Sequence, residues 1–238
     1  MARVVLAPCF VLHGRPFRET SQILELLTRD HGRLGVVARG SRGGGKRGRP
    51  FQPFQPLLVS WSGAGELPTV TGVEAAGAPF IFRGPRIAGA LYLNELILRL
   101  LHRSDPHPEI YAAYGEALER LAAPTGTEAL FRVFEKRLLE ALGYGLILTH
   151  EANSDTAIES DTDYHYRLDH GPVRTTGTTG TAALDEPKVT GRTLLALHRE
   201  ELTAAPELRE AKRLMRFVVN AHLEGRPLET RQLFRSMG

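Results

Sequence analysis

The sequence predicts an α+β protein in two parts, a small N-terminal β-barrel followed by an α-helical domain that carries a polar insertion. Three observations carry this. Up to about residue 75 the apolar runs are four to nine residues long, rich in Val, Leu and Ile, and separated by turn residues. After Gly77-Ala78-Pro79 the apolar period lengthens to about 3.6, the spacing of helices. Between His150 and Glu186 no period persists and Thr, Asp and Gly dominate. We therefore divide the chain into 1–78 and 79–238, with the insertion at about 146–188.

Five strands are expected, at 4–12, 21–28, 34–39, 57–61 and 67–73. The turns lie at His13-Gly14-Arg15-Pro16, Asp30-His31-Gly32, the glycine-rich stretch 40–49 and Ser62-Gly63-Ala64-Gly65. Five strands suit an OB-fold, although the count fits an SH3-like barrel nearly as well. A nearly all-apolar helix is expected over 87–101, central in a bundle. Tyr111, Tyr114, Leu118 and Leu121 mark a second helix, and Leu130, Phe134, Leu138 and Leu142 a third that stops at Gly143. Within the insertion 164–168 and 172–176 read as short strands. Helical spacing returns at 194–198 and 208–219.

Composition narrows the function classes. Hydrophobic residues make up 42% and charged residues 24%, which excludes collagen-like, coiled-coil and disordered chains. The single Cys9 excludes a disulfide framework and a zinc site built on thiolates, and inside a strand pattern it reads as a buried small hydrophobe. No run of eighteen apolar residues occurs and the N-terminus lacks a convincing cleavage site, so a cytoplasmic protein without a membrane span is expected.

The net charge of +3 is unevenly placed. Residues 1–60 hold ten Lys and Arg against Glu19, Glu25 and Asp30, giving +7 and leaving −4 for the rest. Such asymmetry separates a polyanion-binding surface from a scaffold. Its densest part is Arg39, Arg42, Lys46, Arg47 and Arg49, interleaved with five glycines and no acid. Gly40 to Lys46 matches G-x-x-x-x-G-K, but Arg47 stands where a magnesium-binding Ser or Thr is required. The following Arg49-Pro50-Phe51-Gln52-Pro53 cannot open the helix that would hold phosphates. The electrostatic reading is better: a flexible basic loop lies along a polyanion and gains affinity by releasing counterions. Phe17, Phe51, Phe54 and Trp61 are candidates to stack on bases, against the ordinary reading of aromatics as barrel core or loop anchors.

His150, His165 and His170 with Asp155, Asp161, Asp163 and Asp169 raise the question of a metal site, but no ligand spacing such as H-E-x-x-H is present and a solvated insertion is expected. No G-x-S-x-G occurs and no catalytic constellation is recognisable. In the helical part Arg132, Lys136, Arg137, Arg209, Lys212, Arg213 and Arg216 lie beside apolar faces. They either edge a groove for an acidic peptide or pair with Glu135, Glu140, Glu207 and Glu210 as an ordinary amphipathic rim.

Five blocks together resemble one family: FVLHGRPFRETS at 10–21, GRLGVVARGSR at 32–42, LYLNEL at 91–96, Phe134-Glu135 with Leu142-Gly143-Tyr144-Gly145, and TRQLFR at 230–235. Their joint order over nearly the whole chain resembles the bacterial RecO family of recombination mediators. The resemblance implies an N-terminal OB-fold and a helical C-terminal domain, with no catalysis and no cofactor. It implies binding to single- and double-stranded DNA, annealing of complementary strands, association with RecR and with the C-terminal tail of single-stranded-DNA-binding protein, and indirect help to RecA. Carried over by position, DNA binding falls on Arg15, Arg18, Arg33, Arg39, Arg42, Lys46, Arg47 and Arg49. The partner peptide falls on Arg132, Lys136, Leu142, Arg209, Lys212 and Arg213. Many members carry a four-cysteine zinc module after the Gly-Tyr-Gly segment. Residues 146–190 hold no Cys here, so a zinc-free insertion is expected.

The first reading is thus a non-enzymatic DNA-binding mediator, cytoplasmic and nucleoid-associated. Two readings from other classes stand beside it: an interaction adaptor without direct DNA contact, and an NTP-dependent enzyme, which the defective phosphate loop disfavours.

Overall fold

The computed structural model describes residues 3–41, 51–123, 127–175 and 186–236. Five strands come first: β1 (Arg3–Phe17), β2 (Ser21–Thr28), β3 (Gly32–Ala38), β4 (Leu57–Ser62) and β5 (Thr69–Ala75). They form a barrel in the order β1-β2-β3-β5-β4, returning to β1, the topology of an OB-fold. Its thinnest seam is the parallel β3–β5 edge, a single Val37–Thr69 bridge with the Val37 N–H donating to the Pro68 carbonyl at 2.9 Å. Alternation along the strands fills the interior with Cys9, Val11, Leu24, Leu26, Val36, Leu57, Val59 and Trp61. Burial pushes the Cys9 thiol up to about 12, so it stays protonated as a core residue.

One turn lies elsewhere than the sequence suggests. Residues 13–16 read as a turn, but they continue β1, with Gly14 opposite Leu24 and Pro16 opposite Gln22. The chain reverses at 18–20, where Arg18 takes a left-handed φ of 54°. Proline is tolerated because β1 pairs with β4 only over its first half, so the missing N–H at Pro16 faces no second strand.

Helices α1 (Pro85–Leu100), α2 (Pro108–Ala122) and α6 (Thr230–Ser236) belong to the same compact unit as the barrel, which spans Met1–Pro124 and Leu228–Gly238. α1 and α2 cover the outside of β1 and β2, and α6 packs on α1. Phe10 meets the rings of Tyr111 and Tyr114 at 5.3 and 5.1 Å. Buried Asn94 of α1 donates to the Leu12 carbonyl at 2.8 Å and accepts from the Tyr114 hydroxyl at 2.6 Å, tying β1, α1 and α2 through one side chain. The segment after α1 lies against the β2–β3 turn so closely that a Cβ on Gly32, which has φ +67°, would sit 2.2 Å from the Asp105 carbonyl oxygen. Only glycine fits there.

The second unit, Thr125–Pro227, holds α3 (Thr127–Ala141), the sheet β7-β6-β8, α4 (Gly191–Arg199) and α5 (Ala205–His222). β6 (Asp163–Arg167) and β7 (Gly171–Arg174) fall where strands were expected, whereas β8 (Lys188–Thr190) is too short to show a period. The insertion is not merely solvated: Leu148, Ile158, Tyr164, Tyr166 and Val189 are buried, and Arg174 binds Glu151 and Glu159. Among the described residues no three His, Cys, Asp or Glu side chains converge as metal ligands. No helix of the described residues is long and apolar enough to cross a membrane.

Candidate nucleic-acid interface

Strand register decides which cations share a surface. Pro16 pairs with Gln22, and Gln22 pairs with Ala38, so the β1–β2 hairpin tip and the end of β3 lie at one end of the barrel. This sets Arg15, Arg18 and Arg39 there, all exposed. The Arg18 guanidinium carbon lies 5.2 Å from the centroid of the half-buried Phe17 ring, a cation–π contact. The other cations of the connection, Arg42, Lys46, Arg47 and Arg49, lie outside the described residues.

Arg33 is not brought to this surface. It pairs with Leu27 near the opposite end of the barrel. Its guanidinium is 3.5 Å from the Glu25 carboxylate, which also binds Arg103, and its carbonyl accepts from the Ser104 N–H at 2.9 Å. Burial lowers its pKa, the Glu25 charge opposing. Glu25, Arg33 and Arg103 form an ion cluster that fastens the segment after α1 to the barrel.

The aromatics divide in the same way. Trp61 is barrel core, edge-on to His31 at 5.2 Å, and Phe54 is buried against Phe82 at 5.3 Å. Phe17 and Phe51 remain half-buried at the hairpin end. Between the hairpin and residues 51–54 opens a cavity of about 770 Å³, whose lining includes Gly14, Gln22, Ser41 and Phe51. Sequence reading missed Gly14 and Gln22, because 13–16 looked like a turn. The alternation of β2, which sets Gln22 on the same face as Leu24 and Leu26, was the available signal.

In the second unit the cations expected to edge a groove have two fates. Arg132 is 7% exposed and its guanidinium meets Glu135 at 2.7 Å. Lys136, 6% exposed, lies 3.1 Å from Glu200 and 3.2 Å from Glu140. These two are neutralised within the helix packing, because a buried cation is held only beside a carboxylate. Arg209, Lys212 and Arg213 are exposed on α5. Lys212 pairs with Glu128 at 2.7 Å, and Arg213 donates to the Lys188 carbonyl at 3.4 Å. Leu142 is half-buried just past α3.

Comparison with known proteins fits this architecture. The family description "Recombination protein O N terminal" matches residues 1–79, and "Recombination protein O C terminal" matches residues 82–232. Over 239 residues the chain is 46% identical to the DNA repair protein RecO of Alkalilimnicola ehrlichii, covering 99% of this chain and 92% of the relative. It is 44% identical to DNA repair protein RecO of Nitrosococcus oceani over 236 residues, 99% of this chain and 94% of that one. With DNA repair protein RecO of Methylococcus capsulatus the identity is 46% over 240 residues, 99% and 95% of the two chains. With both halves matched and these identities spanning nearly every residue, the chain belongs to the RecO family of DNA repair proteins.

Proposed function

We propose that this chain is a DNA-binding recombination mediator of RecF-type repair, without catalytic activity of its own. It binds single- and double-stranded DNA, anneals complementary strands and, with RecR, helps RecA load onto DNA coated by single-stranded-DNA-binding protein. Residues 1–78 hold the nucleic acid and 79–238 face protein partners, in the cytoplasm at the nucleoid. The observation that carries this reading is the gathering of Arg15, Arg18 and Arg39 at one barrel end beside Phe17 and Phe51. The basic run at 42–49 belongs by sequence to the connection that leaves this end. Neutralising phosphates on two strands lowers their mutual repulsion, and annealing needs no bond cleavage. For the acidic tail of the single-stranded-DNA-binding protein we propose exposed Arg209, Lys212 and Arg213, beside Leu142. Arg132 and Lys136 support that helix packing from within.

The test is direct binding by the purified chain. Replacing Arg15, Arg18 and Arg39 together by Ala is expected to weaken binding at every sequence alike. The slope of log affinity against log salt should shrink by roughly 2 to 3, one counterion step per lost phosphate contact. An unchanged slope sinks the assignment to this end of the barrel. If the wild-type chain shifts no DNA in a gel without partners, the adaptor reading replaces it.

A further inference from the structure

In the second unit, the way α3 ends leaves an aromatic ring outside. Gly143 takes a left-handed φ of 83° and closes the helix in a Schellman motif, its N–H donating to the Glu140 carbonyl at 3.0 Å and the Tyr144 N–H to the Leu139 carbonyl at 2.8 Å. Tyr144 is thereby carried past the helix to the last turn of α5, where its ring stacks on His222 with centroids 4.1 Å apart and planes at 27°. It still stays 51% exposed. The turn between β6 and β7 supplies the facing wall. Exposed Asp169 takes a φ of 60° there, and Gly171 lies so close to the segment after α3 that a Cβ on it would sit 2.9 Å from the Ile147 Cβ, which seats the turn. Tyr144, Tyr166, Leu168, Asp169, Val218 and His222 line a cavity of about 200 Å³ between loop and turn.

Asp169 is the only Asp, Glu, Lys or Arg among the described residues of that lining. Among the described residues no Lys or Arg forms an ion pair with it, and the other residues of this unit, 125–126 and 176–185, include neither type. Burial holds the His222 imidazole below its ordinary pKa, the Asp169 charge opposing, so the ring stacked on Tyr144 adds no positive charge at neutral pH. A helix stop explains the glycines and a surface stack explains the two rings, but neither explains a carboxylate without a cation beside a half-exposed ring. A planar cation satisfies both groups: a guanidinium stacks on the ring and directs paired N–H groups at the carboxylate, whereas an ammonium is a compact, more strongly hydrated charge. A phosphate or an acidic peptide would meet Asp169 and the negative face of the ring. The whole unit leans the same way, with 13 Lys and Arg against 16 Asp and Glu from Thr125 to Pro227. The cavity is smaller than pockets that enclose whole small ligands, and its size suits one side chain. We propose that the cavity between the Gly143-Tyr144-Gly145 loop and the β6–β7 turn receives an arginine side chain from a basic segment of a protein partner. The site is independent of the barrel end, and its charge is opposite to that of the α5 cations, so the acidic tail assigned to those cations is not its occupant.

The test titrates the full chain, isotope-labelled for NMR, with short blocked peptides that hold one arginine, one lysine or one citrulline among glycines. The arginine peptide is expected to bind in the millimolar range, because one exposed ion pair and one ring contact each contribute little, and to move the Tyr144, Asp169 and His222 resonances to saturation. Citrulline keeps the shape and loses the charge, and is expected to bind about tenfold more weakly; lysine is expected to bind about threefold more weakly. Asp169→Asn and Tyr144→Ala, checked by their melting temperatures, are each expected to weaken the arginine peptide about threefold. Asn enters the left-handed region readily, so the first variant keeps the turn. Arginine bound no more tightly than citrulline or lysine, or bound equally by folded Asp169→Asn, overturns the proposal. Movement of the same resonances on dilution without peptide makes a second copy of the chain the occupant, and movement with a single-stranded oligonucleotide makes this a nucleic-acid site; either result overturns it. Should the variants fail to fold, the three peptides on the wild-type chain decide.

Discussion

Two neighbouring residues of α1, Asn94 and Glu95, are each committed to a different element. Asn94 spends its amide on β1 and α2. Glu95 holds the start of α6, accepting from the Glu229 N–H at 2.8 Å and from the Thr230 N–H and hydroxyl at 2.9 and 2.6 Å. Burial alone would raise its pKa, but the bonds from Thr230 and Glu229 outweigh it and hold the carboxyl below the ordinary carboxylate range. Its contribution is therefore present above the unfolded-state value and lost as pH falls through the folded one. Glu95→Gln keeps the shape but turns an amide toward two donors. We expect a loss of about 1–3 kcal/mol, read by thermal unfolding, with faster hydrogen exchange at the α6 amides and none of the change in α3 to α5. Equal exchange in α6 would show that packing rather than the carboxylate holds that helix. At this scale the sequence was misleading in an instructive way. LYLNEL and TRQLFR served as family signatures, and Glu95 of the first binds Thr230 of the second across more than a hundred positions, a pairing no local spacing reveals.

At the scale of elements, what was legible followed from periodicity. The five barrel strands and five longer helices show themselves because one face of each is buried, and alternation or 3.6-spacing records it. The β1–β2 turn was misplaced because Gly and Pro mark turns only on average, and an unpaired strand edge accepts both. The barrel end was half legible: the charge of Arg15, Arg18 and Arg39 could be read, but Arg33 joined them only on paper, since seven residues of β3 separate the two ends. For the cations of α3 the pairing alternative was legible, Arg132 with Glu135 and Lys136 with Glu140, but their distant partner was not. Glu200, the left-handed cap of α4, bonds Lys136 and Arg137, and sequence gives no hint of a carboxylate sixty positions away. Bonding to Arg137 first, then to Lys136, pulls the Glu200 carboxyl below its ordinary range against burial. Glu200→Gln should therefore cost about 2 kcal/mol at neutral pH. The sign of the shift means this penalty fades as pH falls through the folded value, so wild type and variant melting curves should converge in acid. A constant gap down to low pH would exclude the ion cluster as its source.

For the whole molecule, the absence of Cys from 146–190 bears on how the insertion is held. Tyr164 and Tyr166 are buried there, with the Tyr166 hydroxyl accepting from the Ile147 N–H at 3.1 Å and the Tyr164 hydroxyl from the Glu159 N–H at 3.0 Å. Aromatic packing and these bonds hold the insertion without any cysteine. Chelator treatment should accordingly leave the melting temperature and the DNA affinity unchanged, and purified protein should hold no stoichiometric zinc by elemental analysis; a lowered melting temperature in chelator contradicts this. The clasp between Glu95 and Thr230 has a consequence for biogenesis. The first unit is interrupted in sequence by the whole of the second, and its last helix, Thr230–Ser236, comes from the segment Leu228–Gly238 that returns to it. On a ribosome, the barrel and α1–α2 emerge early but wait, with the α6 seat on α1 vacant, while a hundred further residues are made. Completion of the first unit thus reports that translation has passed the second, and a chain truncated before residue 228 carries an unfilled seat at its own beginning.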